Sequence, residues 1–201
     1  MRKIGLVGGT FDPVHLGHLI GAELAADTLC LERVMFIPAA TPPHKCHRPI
    51  TDSTHRLNML RTAIADNPRF EVLTDEIERG GASFTIDTVA GLKSRLGPDT
   101  ELYLVVGADN LVDFNSWKDW RAIVGICRLV GLERPDNQDA RAVVRERMPD
   151  MDIHWVGMPL VDISSTLIRG LVAEGRSVRY MVPDRVAEYI LQNSLYNTYR
   201  D

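Results

Sequence analysis

Six short apolar runs, separated by segments long enough to form helices, constrain the fold of this 201-residue chain more than any other feature. The runs span residues 4–7, 34–37, 70–73, 102–106, 129–132 and 153–156. Several are apolar throughout, which is typical of strands buried on both faces of a parallel sheet. The intervening segments 17–30 and 53–66 carry apolar residues three and four positions apart, as amphipathic helices do.

This alternation predicts an α/β fold, with a Rossmann-like, doubly wound and mainly parallel sheet that has helices on both faces. A helical C-terminal segment follows, in which one helix opens at Ser164 and Ser165 and another at Pro183 and Asp184. No repeat or linker divides the chain, so residues 1–201 are expected to form a single domain. Ligands of such folds bind at the carboxyl ends of the strands, which is where the sequence predicts the site.

The charge and the N-terminus restrict the partners of the chain. A formal net charge of −4 leaves no basic footprint for nucleic acid or anionic membrane, so we expect small-molecule partners, no nucleic acid and no membrane. The first apolar stretch ends at Gly8, which makes it too short for a signal peptide or a membrane span. The chain is therefore expected to be cytoplasmic.

The cysteines and the metal-ligating residues give no recognised pattern. Cys30, Cys46 and Cys127 are odd in number and lack C-x-x-C spacing, which predicts neither a disulfide framework nor a cysteine zinc site. His44 and His47 flank Cys46, but a fourth ligand at a metal-binding spacing is missing. No metal site formed by the protein itself is expected.

The first apolar run leads directly into segment 8–18, whose composition suits a bound phosphate. Gly8 and Gly9 have no side chains to keep a phosphate from the backbone, and the helix that follows presents N–H groups at its start. His15 and His18 are three residues apart, so both imidazoles can donate to one phosphate. The alternative is a turn that needs glycine, followed by histidines that only cap the helix or pack. The combination of two histidines with Gly17 directly after a first strand favours the phosphate-binding interpretation. Neither the dinucleotide fingerprint nor the P-loop motif occurs.

A second pattern of this kind lies near the other end of the chain, in segment 163–169. Ser164, Ser165 and Thr166 supply hydroxyls at a helix start, and Arg169 lies one turn after Ser165 on the same face. Alone, this pattern indicates an ordinary N-cap followed by a surface arginine. Paired with segment 8–18, it predicts a second contact with the same phosphates.

Both segments resemble signatures of the nucleotidyltransferases related to class I aminoacyl-tRNA synthetases. Segment 8–18 is similar to G-x-F-x-P-x-H-x-G-H, and segment 163–169 is similar to I-S-S-T-x-I-R. Segments 83–88, 107–109 and 114–120 look like those of bacterial nicotinate mononucleotide adenylyltransferases, so the resemblance covers nearly the whole chain. It implies a single nucleotidyltransferase domain over 1–201, which joins the adenylyl part of ATP to nicotinate mononucleotide (NaMN) for NAD biosynthesis, with Mg²⁺ bound mainly through the ATP phosphates.

The resemblance also implies a role for each matching residue. The implied catalytic residues are His15, His18, Lys45 and Arg169. The implied ATP-binding residues are Gly8, Gly9, Thr10, Phe11, Gly107, Asp109, Ser164, Ser165 and Thr166. The implied mononucleotide-binding residues are Asp12, Phe84, Thr85 and Trp117. Within these sets, Asp109 would contact the ATP ribose and Trp117 would stack on the pyridine ring, whereas Trp120 is expected in the core.

The preference for an acidic or an amide acceptor stays open at this point. By resemblance, backbone N–H groups around Thr85 receive the nicotinate carboxylate, and Ser83 or Thr85 is expected to cap the helix over 86–96. A helix start favours an anion by about 0.3–1 kcal/mol. Asp87 lies in the same first turn, however, and competes for this effect. Lys45 matches a basic position used toward substrate phosphate, and a solvated surface lysine is its alternative.

The expected reaction is a direct in-line attack of the mononucleotide phosphate on the α-phosphorus of ATP, since the sequence sets no Ser, Cys or Lys beside a base as a covalent nucleophile. Three other functions remain as alternatives. They are a related adenylyltransferase that acts on nicotinamide mononucleotide (NMN) or phosphopantetheine, a non-catalytic nucleotide-binding regulator, and a pure interaction module. The oligomeric state, including a homo-oligomer, is left open.

Overall fold

The computed structural model of the protein describes residues 1–41, 50–135 and 138–197. Six strands of these residues form one sheet in the order β3-β2-β1-β4-β5-β6, with each neighbouring pair parallel. The strands are β1 (Arg2–Gly9), β2 (Arg33–Pro38), β3 (Phe70–Val72), β4 (Thr100–Gly107), β5 (Cys127–Glu133) and β6 (Ile153–Gly157). Each of the six apolar runs is confirmed as a strand, and the parallel α/β fold is confirmed with them.

The predicted helices are also confirmed. The described residues form α1 (Leu16–Leu29), α2 (Ser53–Ile64), α3 (Asp75–Arg79), α4 (Thr85–Leu96), α5 (Ala108–Leu111), α6 (Trp120–Ile126), α7 (Gln138–Arg147), α8 (Ser165–Ala173) and α9 (Asp184–Gln192). A short 3₁₀ helix spans Phe114–Ser116. Helices α8 and α9 form the C-terminal helical segment. None of the helices in the described part of the chain is long and apolar enough to cross a lipid bilayer.

The core lies on both faces of the sheet, as the doubly wound prediction requires. On one face, Val34 and Phe36 of β2 pack in a cluster with buried residues of α1, α2, α8 and α9. On the other face, Leu102 and Leu104 of β4 pack in a cluster with buried residues of α4, α6 and α7. Each large apolar side chain buried this way contributes roughly 1.5–3 kcal/mol relative to an exposed one. The two clusters fix the helices on which the site residues lie.

The strand order reverses between β1 and β4. From β1 the chain proceeds outward to β2 and β3, whereas β4 lies on the other side of β1 and is followed by β5 and β6. In open α/β sheets, the loops at such a switch point diverge and leave a crevice at the carboxyl ends of the strands. Here β1 ends at Gly9 and β4 ends at Gly107, so two of the predicted ATP-binding segments meet at this crevice.

One local prediction is wrong. Helix α4 begins at Thr85 with Phe84 as its N-cap, and no side chain caps it. The hydroxyl of Ser83 instead accepts a hydrogen bond from the Ala40 N–H at 2.9 Å and ties this turn to the end of β2. The N-terminal N–H groups of α4 therefore have no capping oxygen from either Ser83 or Thr85.

Candidate active site

A cavity of about 690 Å³ opens at the carboxyl ends of β1 and β4. This volume is within the range of small-molecule sites. The predicted site residues that line it are Gly8, Gly9, Thr10, His15, His18, Phe84, Thr85, Gly107, Asp109, Trp117, Ser164 and Ser165. Four further predicted residues, Phe11, Asp12, Thr166 and Arg169, lie beside the cavity without lining it. Lys45 lies outside the described residues, as do His44, Cys46 and His47.

The loop between β1 and α1 is shaped by packing under it. Phe11 has a left-handed backbone (φ 51°), and its ring is buried against Gly9, where an added Cβ would lie 2.9 Å from the ring. The same ring meets His18 edge-on, with 5.1 Å between ring centroids. Gly9 is thus required for space as well as for phosphate access. Phe11 supports the loop from below instead of facing the cavity.

His15 and His18 stack on each other at the start of α1, with 3.7 Å between ring centroids. The His15 backbone N–H donates to Nδ1 of His18 at 3.2 Å, so His18 caps the helix in which it lies. Because Nδ1 accepts this bond, the proton of neutral His18 is on Nε2. The capping interpretation and the phosphate interpretation of His18 are therefore compatible, since each uses a different ring nitrogen.

His15 is almost fully buried, and this changes the role expected for it. Burial lowers the pKa of His15 to about 4, so the imidazole is neutral near neutral pH. Its Nδ1 has no hydrogen-bond partner among the described residues and lies against Gly17, where an added Cβ would be 3.1 Å away. In this form the His15 imidazole brings no positive charge to the cavity. A neutral His15 can still donate a hydrogen bond to a phosphate.

The C-terminal motif meets the N-terminal loop directly. Ser164 caps α8 by accepting from the Leu167 N–H at 3.1 Å, and the Ser165 hydroxyl donates to the Pro13 carbonyl at 2.9 Å. Arg169 donates to the Asp12 carbonyl at 2.6 Å. The structure therefore brings the two predicted phosphate-binding segments to one cavity. The start of α8 presents backbone N–H groups there, whereas the Leu16 N–H at the start of α1 donates to the Met181 carbonyl at 2.9 Å.

Arg134 is a cavity residue that sequence reasoning missed. It follows β5 directly, and its Nη2 lies 2.7 Å from the Asp109 carboxylate, which follows β4. Both residues lie at carboxyl ends of adjacent parallel strands, so the rule that located Asp109 also applies to Arg134.

The part of the cavity beside α4 is lined by Phe84, Thr85 and Trp117, the residues predicted for the mononucleotide. Lys118, which was not predicted, also lines this end. Its ammonium lies 4.4 Å from the centroid of the Phe84 ring and 3.8 Å from the Asp87 carboxylate. A cation at this position offsets the charge of Asp87 in the first turn of α4.

Glu76 is a second charged group that sequence reasoning missed. It is buried, lines the cavity and accepts a hydrogen bond from the Thr88 hydroxyl at 2.8 Å. That hydroxyl in turn accepts from Arg79 at 3.0 Å. No sequence signal marked Glu76, because the five-residue helix α3 is too short to show a period.

The acidic and histidine side chains around the cavity decide whether the protein itself could hold a metal ion. Within residues 1–41, 50–135 and 138–197, no group of three or more His, Cys, Asp or Glu side chains is placed to hold a metal ion. Asp109, the predicted acidic residue of the cavity, is already paired with Arg134. A metal ion at this site would have to draw most of its oxygen ligands from a bound substrate.

Comparisons with known proteins agree with this geometry. Residues 6–171 match the model of the cytidylyltransferase-like family. A probable nicotinate-nucleotide adenylyltransferase of Moorella thermoacetica is 40% identical over 200 residues, which cover 96% of this chain and 91% of the relative. One from Lactiplantibacillus plantarum is 41% identical over 195 residues, which cover 97% and 88%.

Among solved structures, the nicotinic acid mononucleotide adenylyltransferase of Plasmodium falciparum complexed with NaAD superposes with a TM-score of 0.80. The match covers 99% of both chains at 18% identity. A structure from Vibrio parahaemolyticus, described as a nicotinate-nucleotide adenylyltransferase, superposes with a TM-score of 0.70 at 17% identity and covers 99% of this chain and 98% of that one. At these identities the likeness is one of fold.

Proposed function

The chain belongs to the nicotinate-nucleotide adenylyltransferases of the cytidylyltransferase-like family, and on that premise we propose that it transfers the adenylyl group of ATP to NaMN. The products are nicotinate adenine dinucleotide and pyrophosphate, and the reaction belongs to NAD biosynthesis. One observation carries the proposal. The segments that begin at Gly8 and Ser164 come from opposite ends of the chain, yet they line one cavity and are joined by the hydrogen bond from Ser165 to Pro13.

ATP occupies the end of the cavity where these two segments meet. The backbone of Gly8, Gly9 and Thr10 and the start of α8 surround the triphosphate with N–H donors, which favour anions. Arg169 adds positive charge to the same end through its position beside Asp12. Asp109 accepts from the ribose hydroxyls at the carboxyl end of β4. Arg134, whose Nη2 lies 2.7 Å from this carboxylate, holds it at the same edge of the sheet.

NaMN occupies the other end. The Trp117 ring lies on the cavity wall, where it can offset-stack on a pyridine ring. The first N–H groups of α4, near Thr85, receive the nicotinate carboxylate. The negative charge of Asp87 disfavours an acid here, and the ammonium of Lys118 offsets that charge. On the sequence pattern alone, Lys45 contacts the phosphate of the mononucleotide.

The reaction is a single displacement. An oxygen of the NaMN phosphate forms a bond to the α-phosphorus of ATP, and the bond from that phosphorus to the bridging oxygen breaks, so that pyrophosphate leaves. The attacking phosphate is already ionised and needs no general base. The protein aligns the two nucleotides and stabilises the developing charge. Neutral His15 and the Nε2–H of His18 donate hydrogen bonds to it.

Magnesium fits this site as a companion of ATP. The described residues hold no acidic cluster of their own, so Mg²⁺ is held mainly by oxygens of the triphosphate. When bound, the ion neutralises charge on the phosphates. The backbone around Gly9 and Ser164 would contact the phosphates from the protein side.

The test is to incubate the protein with Mg-ATP and either NaMN or NMN and to separate the nucleotide products. We expect nicotinate adenine dinucleotide and pyrophosphate in equal amounts, sequential kinetics, and inversion of configuration at a chiral α-phosphorus. If dinucleotide forms from NMN and not from NaMN, the acceptor is NMN and the proposed acceptor is wrong. Ping-pong kinetics or retention would contradict the direct displacement, and no product from either nucleotide would contradict the transferase function.

A further inference from the structure

A buried polar cluster lies directly beneath the phosphate loop, on the side away from the cavity. Its centre is the Asp12 carboxylate, which is 5% exposed and does not line the cavity. One carboxylate oxygen accepts from the Tyr196 hydroxyl at 2.8 Å, and the other accepts from the Thr51 N–H at 3.2 Å. Both carboxylate oxygens of Asp12 are thus hydrogen-bonded within the protein, although the sequence predicted that this residue contacts the mononucleotide.

Arg56 completes this cluster. Its guanidinium is 1% exposed and donates to the carbonyls of Thr10 and Ala39, both at 2.8 Å, and of Thr51 at 2.9 Å. Burial lowers the pKa of Arg56, and the nearby Asp12 charge acts in the opposite direction. A buried cation without a counter-charge is costly, so Arg56 and Asp12 depend on each other. Together they fix the loop after β1 to the loop after β2.

Tyr196 reaches this cluster from the C-terminal end of the described chain. It lies beyond residues 6–171, which the family model matches. The backbones of Ser194 and Tyr196 are both left-handed, with φ of 50° and 66°, a conformation that costs energy for residues other than glycine. Burial and the Asp12 charge raise the pKa of the Tyr196 hydroxyl, so it remains a proton donor at all physiological pH values. The turn is therefore held in a strained form that delivers this hydroxyl to Asp12.

We propose that Tyr196 is a positioning residue for adenylyl transfer. By donating to Asp12, it holds the phosphate loop from behind, so that the backbone of residues 8–10 and the imidazole of His18 stay aligned on the triphosphate. Arg169 bonds the Asp12 carbonyl from α8, so the same residue of the loop is held from two C-terminal elements. The role rests on the proposed function, because it concerns the alignment of ATP. A misplacement of about 1 Å is enough to cost on the order of 100-fold in rate.

The chain provides a matched control in Tyr189. Its hydroxyl accepts from Asn58 at 3.1 Å and lies 3.0 Å from Nδ1 of His55, so it also joins the C-terminal segment to α2. These bonds do not involve the phosphate loop. Tyr189→Phe and Tyr196→Phe each remove one hydroxyl from the same segment, but only the second removes a contact with Asp12.

The experiment compares these two variants with the unmodified protein in three measurements, after circular dichroism has verified folding. For Tyr196→Phe we expect ATP to bind about tenfold more weakly by calorimetry and kcat to fall about tenfold. The KM for NaMN should stay within about twofold, because the acceptor end is untouched. Amide hydrogen exchange in residues 9–14 should become faster. Tyr189→Phe should leave all four properties close to those of the unmodified protein.

Equal effects of the two tyrosine variants, or equal increases of KM for ATP and NaMN in Tyr196→Phe, would overturn the proposal and leave Tyr196 a purely structural residue. If Tyr196→Phe does not fold, Asp12→Asn must reproduce the weaker ATP binding and the faster exchange, and unchanged ATP binding in that variant would equally overturn it. ATP binding and exchange require no acceptor. An unmodified protein that binds ATP but forms no dinucleotide would therefore contradict the proposed function, while the comparison of the variants still decides the role of Tyr196.

Discussion

The two ends of the cavity are built in different ways. At the phosphate end, Ser165 and Arg169 hold the loop through its backbone, and Tyr196 holds it through the buried carboxylate of Asp12. At the acceptor end, Lys118 contacts Phe84 and Asp87, but Lys118 and Asp87 remain 47% and 44% exposed. Contacts of the first kind are short and partly buried, whereas contacts of the second kind join exposed side chains and are weakened by solvent.

This difference separates catalysis from selection of the acceptor. The phosphate end is fixed by contacts among residues far apart in sequence, so its substitutions should change the rate. The acceptor end uses a few exposed side chains. Substitutions there should change the KM for the mononucleotide and the preference between NaMN and NMN, and they should leave the KM for ATP largely unchanged. Four predictions follow, from the largest expected effect to the smallest.

His18→Ala should have the largest effect. It removes a donor to the charge that develops on the phosphates, and loss of one such donor lowers kcat by on the order of 10²–10³, about 2.7–4 kcal/mol. The measurement is the initial rate of dinucleotide formation at saturating ATP and NaMN. His55→Ala is the control, since His55 contacts Tyr189 and does not line the cavity. A loss of less than about threefold in His18→Ala would remove His18 from the mechanism.

The buried His15 makes the stability of the phosphate end depend on pH. Its pKa is about 4 in the folded protein, below the ordinary value of 6.5, so the unfolded chain binds a proton in this range that the folded protein does not. The free energy of unfolding should therefore fall as the pH is lowered from 6.5 toward 4, by at most about 1.4 kcal/mol per pH unit from this residue. Urea unfolding at several pH values checks this. His15→Gln should lose the corresponding part of the slope, and parallel curves for the two proteins would contradict it.

Trp117→Ala should act on the acceptor alone. Stacking of an aromatic side chain on a base contributes roughly 1–3 kcal/mol, so the KM for NaMN should rise by about tenfold or more. The KM for ATP should change little, because Trp117 packs with the core cluster on the α4 side of the sheet, whereas α1 and α8 pack on the other face. Steady-state kinetics with each substrate varied in turn measure both values. Trp120→Leu is the control for packing, because the Trp120 ring also packs on Phe114. An equal rise of the KM for NaMN in both variants would exclude stacking.

Lys118 and Asp87 should have the smallest effects, in opposite directions. Lys118→Met leaves Asp87 without its cation at the start of α4, so the ratio of kcat/KM for NaMN to that for NMN should fall about two- to fivefold. Asp87→Asn should raise the same ratio by a similar factor. Both changes should diminish in high salt, because the side chains are exposed. If the ratio is the same in all three proteins, the acid preference has another source.

Much of this structure could be predicted from sequence, because short apolar runs are typical of buried strands. The six strands and the start of α8 follow from local patterns, and the switch point follows from the strand order that such patterns produce. The cap of α4 could not be placed correctly, since Phe84 takes that position without any capping oxygen. The single domain over 1–201 and the contact of Lys45 stay predictions.

The supporting residues could not be predicted for a different reason. Arg56 lies on a helix rich in polar residues, and nothing in its sequence context distinguishes a buried guanidinium from a solvated one. Tyr196 reaches the loop only through long-range packing, across 184 positions of sequence. Sequence motifs mark groups that contact ligands, whereas the residues that hold those groups are defined by the tertiary structure.

The central claim is that segments from both ends of the chain bind one triphosphate. A crystal structure with a non-hydrolysable ATP analogue tests it most directly. We expect a single triphosphate within hydrogen-bonding distance of both the backbone N–H groups after Gly9 and those at the start of α8 beside Ser164. A triphosphate bound to only one of these two segments, with the other more than a water molecule away, would contradict the account.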